Sequence, residues 1–86
     1  MTKILYWPRF EKQYKKLPRR IQDLADEKVN IFSGNPFNPV LRTHKLSGSL
    51  NGYWAFSVNY FYRIIFRFED ANTALLFAIG KHDIYN

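Results

Sequence analysis

A change of hydrophobic period at residues 34–43 constrains this chain more than any other feature of its sequence. Before that stretch, apolar side chains recur at helical spacing, and after it they alternate at strand spacing. A chain of 86 residues that switches period in this way is neither all-helical nor all-β. It is an α+β protein, with its helices segregated from most of its strands. The switch segment itself, "GNPFNPVLRT", holds two prolines, two asparagines and a glycine and reads as a loop.

On the N-terminal side, "KILYW" at 3–7 predicts a short strand, and Pro8 suits the first turn of a helix, where its missing N–H costs nothing. Phe10, Tyr14 and Leu17 form one apolar stripe while Lys12, Lys15 and Lys16 point elsewhere. Pro18 ends this helix or opens the next, in which Ile21, Leu24, Ala25, Val29 and Phe32 keep helical spacing until Gly34. The short connection makes the two helices antiparallel. Past the loop, "GYWAFSV" (52–58) sets Trp54, Phe56 and Val58 toward a core and Tyr53, Ala55 and Ser57 away from it. "YRIIFRF" (62–68) puts Arg63, Ile65 and Arg67 on one face, with Tyr62, Ile64, Phe66 and Phe68 on the other. "EDAN" is a turn, and "TALLFAIG" (73–80) a nearly all-apolar, central strand. The expected order is β-α-α-β-β-β: two antiparallel helices packed on a mostly antiparallel four-stranded sheet, as a single domain spanning 1–86.

The absence of cysteine removes disulfides, thiolate metal sites and thiol nucleophiles together, and fits a reducing, cytoplasmic setting. No segment approaches the roughly 20 apolar residues of a membrane span, and the N-terminus lacks a signal-peptide pattern, so no membrane association is expected. The net charge is +6 and lies entirely in the first half: residues 1–45 carry ten Lys/Arg against four Asp/Glu, and residues 46–86 carry three of each. A basic surface of this kind attracts phosphate chains.

Arg63 is the most informative single position. A mid-strand guanidinium among apolar neighbours needs water or an anion, so the face that bears it and Arg67 is a groove rather than a core. Paired guanidinium forks match phosphate oxygens and stabilise charge accumulating on phosphorus. Both histidines stand at strand ends beside a lysine: His44 with Lys45, and His82 with Lys81, followed by Asp83 and Tyr85. Such groups can divide the work of cutting RNA without metal, which needs a base for the 2′-hydroxyl, a cation for the phosphorane and an acid for the leaving 5′-oxygen. Their spacings match no metal-ligand pattern and phosphate-binding glycine loops are absent, so neither a metal nor a cofactor is expected. Most of the aromatic rings of residues 53–68 are assigned to the core, whereas Tyr85 is placed to stack on a base.

These residues carry a resemblance. "HKLSGSLNGYWAFSVNYFYRIIFRF" follows the pattern L-x-G-x-L-x-G-x-W and then a tyrosine-arginine strand, and "IGKHDIY" closes the stretch. Over nearly its whole length the chain resembles the RelE/ParE superfamily of type II toxins. The resemblance implies an mRNA endonuclease (mRNA interferase) that acts in the ribosomal A site and inhibits translation. It also implies neutralisation by a cognate antitoxin, acidic and partly disordered. Carried onto this sequence, it implies active-site positions at His44, Lys45, Arg63, Lys81, His82 and Tyr85. Arg63 would lie on the scissile phosphate, His82 would act as base or acid, with His44 as the second proton-transfer group, and Tyr85 would stack on a base. Arg67 adds a substrate contact. Ala55 and Ser57 stand where one branch carries further basic residues, which thins the phosphate clamp. The ParE branch shares the scaffold and poisons DNA gyrase without cutting RNA, and remains the alternative. A plain RNA-binding module is the third reading.

Overall fold

The computed structural model describes residues 1–85, the last of them by its backbone alone. The chain runs through β1 (Lys3–Tyr6), α1 (Pro8–Lys15), α2 (Arg19–Gly34), β2 (His44–Lys45), β3 (Trp54–Ser57), β4 (Arg63–Asp70) and β5 (Thr73–Gly80). Short 3-10 turns occupy Pro39–Leu41, Gly48–Leu50 and His82–Tyr85. The strands form one sheet in the order β1-β5-β4-β3-β2, in which β1 runs parallel to β5 and the other neighbours are antiparallel.

The α+β class, the helix pair and the mostly antiparallel sheet agree with the sequence. The sheet has five strands, not four, because His44 and Lys45 pair with Ala55 and Trp54 as a two-residue edge strand. A segment that short shows no alternation from which a strand can be read. The strand β5 is interior, between β1 and β4, but the middle position belongs to β4. The expected loop also holds the Pro39–Leu41 turn, whose Leu41 is fully buried.

One face of the sheet carries the helices. Phe56, Val58, Ile64, Phe66, Ala74 and Leu76 pack there with Phe10, Ala25, Phe32 and Leu41. Phe32 is its centre, stacked on Phe56 at 4.6 Å and edge-on to Phe66 at 4.7 Å. Its truncation to alanine would cost about 3–5 kcal/mol. Tyr14 donates a hydrogen bond to Asp26, and Gln22 donates to the Tyr14 carbonyl, which ties α2 back along α1. Beyond Leu76, β5 has no β1 neighbour; Gln13 of α1 accepts from the Ile79 N–H instead, so this interior donor stays satisfied.

The opposite face, here called the distal face, is cationic at its margins and covered at its centre. Ile65, Ala78 and Ile84 are buried there with Leu46, Leu50, Tyr53 and Phe77 around them. Ile84 belongs to the 3-10 turn that follows β5, so the chain folds back over the sheet instead of leaving it. That return needs Gly80, where a Cβ would overlap Ile84 Cγ2. A bulge in β5 matters too: Ile65 pairs with Ala78 but Phe66 with Leu76, leaving Phe77 as the extra residue. It lets Phe77 and Ala78 share the distal face although they are adjacent in sequence.

Candidate functional site on the distal face

Strand register fixes where the candidate residues stand. His44 lies opposite Ala55, Ala55 opposite Ile65, and Ile65 opposite Ala78, forming one row across the distal face. Ser57, Arg63 and Gly80 form the next row, at the end where the His82–Tyr85 turn begins. Arg67 and Leu75 lie in the row on the other side. Thus His44, Arg63 and Arg67 share a face, with Arg63 and Arg67 separated by roughly 13 Å of strand. His82 is exposed and follows two residues after the glycine that pairs with Arg63.

Arg63 is partly committed. Its Nη1 donates to three backbone carbonyls in the β3–β4 loop: Asn59 at 2.7 Å, Tyr60 at 3.0 Å and Tyr62 at 3.2 Å. It forms no salt bridge among the described residues. Among the described residues nothing engages the edge made by Nε and Nη2, and that edge is a two-pronged donor suited to a phosphate.

The imidazole of His44 is oriented by its own chain. Arg42 sits in the left-handed region at φ 52°, closing the Pro39–Leu41 turn, and its carbonyl lies 3.0 Å from His44 Nδ1. A carbonyl only accepts, so Nδ1 carries the hydrogen and the neutral ring presents its lone pair at the exposed Nε2. A histidine held this way is arranged to take a proton.

Arg67 is held differently. Nε lies 3.3 Å from Glu69 Oε2 without hydrogen-bond alignment, and Nη1 donates a long hydrogen bond of 3.4 Å to the Tyr53 hydroxyl oxygen. The polar contact with Glu69, and then its charge, hold the guanidinium above the ordinary arginine value. It rests over the Tyr53 ring at 5.9 Å, Tyr53 meets Phe77 at 5.3 Å, and Arg9 lies over Phe77 at 5.2 Å. The chain of cations and rings therefore includes Arg9, a residue that sequence reasoning left among the general basic surface. Its signal was invisible because it arises from α1 starting beside the β5 bulge.

The two lysines go elsewhere. Lys45 pairs in register with Trp54 and its Nζ stands 5.4 Å from that ring, on the helix-bearing face, while Lys81 lies 5.7 Å from the ring of Tyr62. Both side chains take cation–π positions instead of converging on Arg63. The side chain of Tyr85 lies outside the described residues. Two of the rings of residues 53–68 lie outside the core: Tyr60 and Phe61, at the tip of the β3–β4 loop, are 81% and 59% exposed. The loop breaks the strand alternation between Ser57 and Arg63, so the periodic argument for burial ends there.

A concavity lies on the other side, between β1, α1 and α2, lined by Ile4, Tyr6, Phe10, Tyr14, Ala25 and Val29 among others. Asp26 dominates its electrostatics: its hydrogen bond pushes the Tyr14 hydroxyl up to about 12, and burial followed by the Asp26 charge raises Tyr6. No histidine or arginine lines it. His44, Arg63 and Arg67 share the distal face, which is the candidate site. No group of three or more potential metal ligands occurs among the described residues.

No family model and no curated protein matches the sequence. Solved structures do match. YafQ from E. coli strain BL21(DE3) superimposes with a TM-score of 0.80 at 19% identity, covering 99% of this chain and 98% of that one. A YoeB/ParE toxin from Agrobacterium tumefaciens gives 0.79 at 15% identity, with 94% and 99% covered. The toxin–antitoxin complex RelBE2 from Mycobacterium tuberculosis gives 0.79 at 20% identity, with 94% and 98% covered. This chain has the fold of the RelE/ParE-type toxins along nearly its full length.

Proposed function

We propose that this protein is the toxin of a type II toxin–antitoxin pair and a metal-independent endoribonuclease that cuts mRNA, in the ribosomal A site, and so inhibits translation. The observation that carries the reading is the shared distal face: His44 with a directed lone pair, Arg63 with an uncommitted fork, and the turn bearing His82 folded back beside it. Arg63 holds the scissile phosphate through Nε and Nη2 and stabilises the charge of the phosphorane. One imidazole removes the 2′-hydroxyl proton as the 2′-oxygen attacks phosphorus, and the other protonates the departing 5′-oxygen. His82, two residues past the Gly80 that pairs with Arg63, is the principal proton-transfer group, and His44 acts through Nε2 as the second. Arg67 binds a neighbouring phosphate; Lys45 and Lys81 contribute long-range attraction, and Tyr85 stacks on a base.

An acidic, partly disordered antitoxin is the proposed partner. The RelBE2 structure, a toxin–antitoxin complex with this fold, supports it, as does the basic excess within residues 1–45. Such a chain would order itself against the cations as it binds.

Induction in a bacterial host tests the reading. Wild type is expected to arrest growth with loss of message, and Arg63→Ala or His82→Ala to abolish arrest while remaining folded. Arg63→Lys is the sharper variant, since it keeps a cation near the loop carbonyls but lacks the fork; it too should lose most toxicity. Full toxicity in all three would remove the site. The YoeB/ParE toxin shares the scaffold, so gyrase poisoning is the competing reading; DNA breaks with intact mRNA would establish it instead.

A further inference from the structure

The β3–β4 loop is an unusual use of aromatic residues. Tyr60 and Phe61 stand in solvent at its tip, their rings perpendicular with centroids 5.2 Å apart. Exposed rings usually belong to mobile segments, but this loop is closed on itself. Asn59 Oδ1 accepts from the backbone N–H groups of Phe61 at 2.9 Å and Tyr62 at 2.8 Å. Val58 N–H donates to the Tyr62 carbonyl at 3.0 Å, and Arg63 Nη1 ties in the carbonyls of Asn59, Tyr60 and Tyr62. The conformational entropy of ordering the tip is therefore lost on folding and not charged against a ligand.

We infer that Tyr60 and Phe61 grip an unpaired nucleobase of the nucleotide whose phosphate lies on Arg63. Two features favour RNA over a protein partner. The first is size: two such rings expose roughly 300 Å² at most, whereas a stable protein interface takes about 800 Å² from each partner. A nucleobase needs only one aromatic face. The second is composition. Residues 57–63, "SVNYFYR", contain no acidic group, and Arg63 places a phosphate-matching fork at the base of the tip, with Lys81 over the adjoining Tyr62 ring. Ring and guanidinium side by side reproduce the two chemical halves of a nucleotide. The same arginine builds the platform and holds the phosphate, which couples base capture to phosphate placement. Because stacking reads the π surface and not the hydrogen-bonding edge, purines are favoured over pyrimidines without strict sequence choice.

This inference rests on the nuclease reading for its meaning but is tested by binding alone. The probes are a short 2′-O-methyl oligoadenylate carrying 2-aminopurine, which has no 2′-hydroxyl to attack with, and an abasic oligomer of equal length. Wild type is expected to bind the base-bearing probe at least about tenfold more tightly and to quench its fluorescence on stacking. The double variant Tyr60→Leu with Phe61→Leu should lose that preference and the quenching, while keeping its affinity for the abasic probe and its circular dichroism spectrum. Retention of the preference in the double variant, or no preference in wild type, overturns the inference. So does a wild-type dimer that the double variant converts to monomer, since the rings would then serve a self-contact. Base preference without cleavage of any RNA would sink the nuclease reading and spare the tip; cleavage without base preference would do the reverse.

Discussion

Gly80 offers the most searching perturbation of the distal face. It pairs with Arg63 at the end of β5, and a methyl group there would collide with Ile84 Cγ2 and also come to 3.6 Å from Ile84 Cβ. Cγ2 is fixed on a β-branched carbon that is stiff at χ1, so the 82–85 turn lifts. Ile84 is only 8% exposed. Returning most of its surface to water costs about 1.5–3 kcal/mol, which in a domain of this size lowers Tm by roughly 6–24 °C. RNA cleavage should fall further than stability does, because His82 rides on the displaced turn. Ile84→Ala alone loses the same burial, so Gly80→Ala added to it should cost almost nothing more: the clash has gone. The assay is a double-mutant cycle of thermal melts followed by circular dichroism, with cleavage measured on the same four proteins. A Gly80→Ala melt within about 2 °C of wild type, or strict additivity in the double variant, would refute the claim that the turn is latched over the sheet.

Two other outcomes follow from local electrostatics. Glu69→Gln releases Arg67 from its carboxylate neighbour, so affinity for single-stranded RNA should rise several-fold at low salt and the plot of log K against log salt should steepen by up to about 0.7; an unchanged slope would mean Arg67 meets no phosphate. Tyr14 should ionise near pH 12 against an ordinary 10.0, because its hydroxyl donates a hydrogen bond to Asp26 that is lost on ionisation. Its folded value is the raised one, so the stability it contributes is complete below about pH 10 and disappears as pH climbs toward 12. Tyrosinate absorbance should show a late-titrating group that Asp26→Asn moves down toward the ordinary range.

Periodicity read the large elements well because each buries a whole face: Phe32 and Ala25 at helical spacing, Phe56 and Val58 at strand spacing. What it missed has no period. The strand His44–Lys45 is too short, and its register alone sends His44 to the distal face and Lys45 to Trp54. The Phe77 bulge inserts a residue whose effect depends on pairing across the sheet. Arg63 was legible as a cation in need of an anion, but its bonds to three loop carbonyls were not, since they depend on how residues 59–62 close. Which rings stay outside the core was hidden for the same reason: ring density in sequence does not distinguish a core from a loop tip, where Tyr60 and Phe61 stand. The fold was thus largely readable, whereas the candidate site was proposed from the sequence as a set of residue types and not as an arrangement.

The most direct test of the central claim is the chemistry of the RNA ends produced by purified protein on programmed ribosomes, in buffer freed of transition metals but keeping the magnesium that holds the ribosome together. Attack by a 2′-oxygen assisted by side chains predicts cut messages bearing 5′-hydroxyl and 2′,3′-cyclic phosphate ends, formed by wild type and not by the Arg63→Lys or His82→Ala variants. Messages left intact under those conditions, or cleavage that survives in both variants, would contradict a ribonuclease site on the distal face.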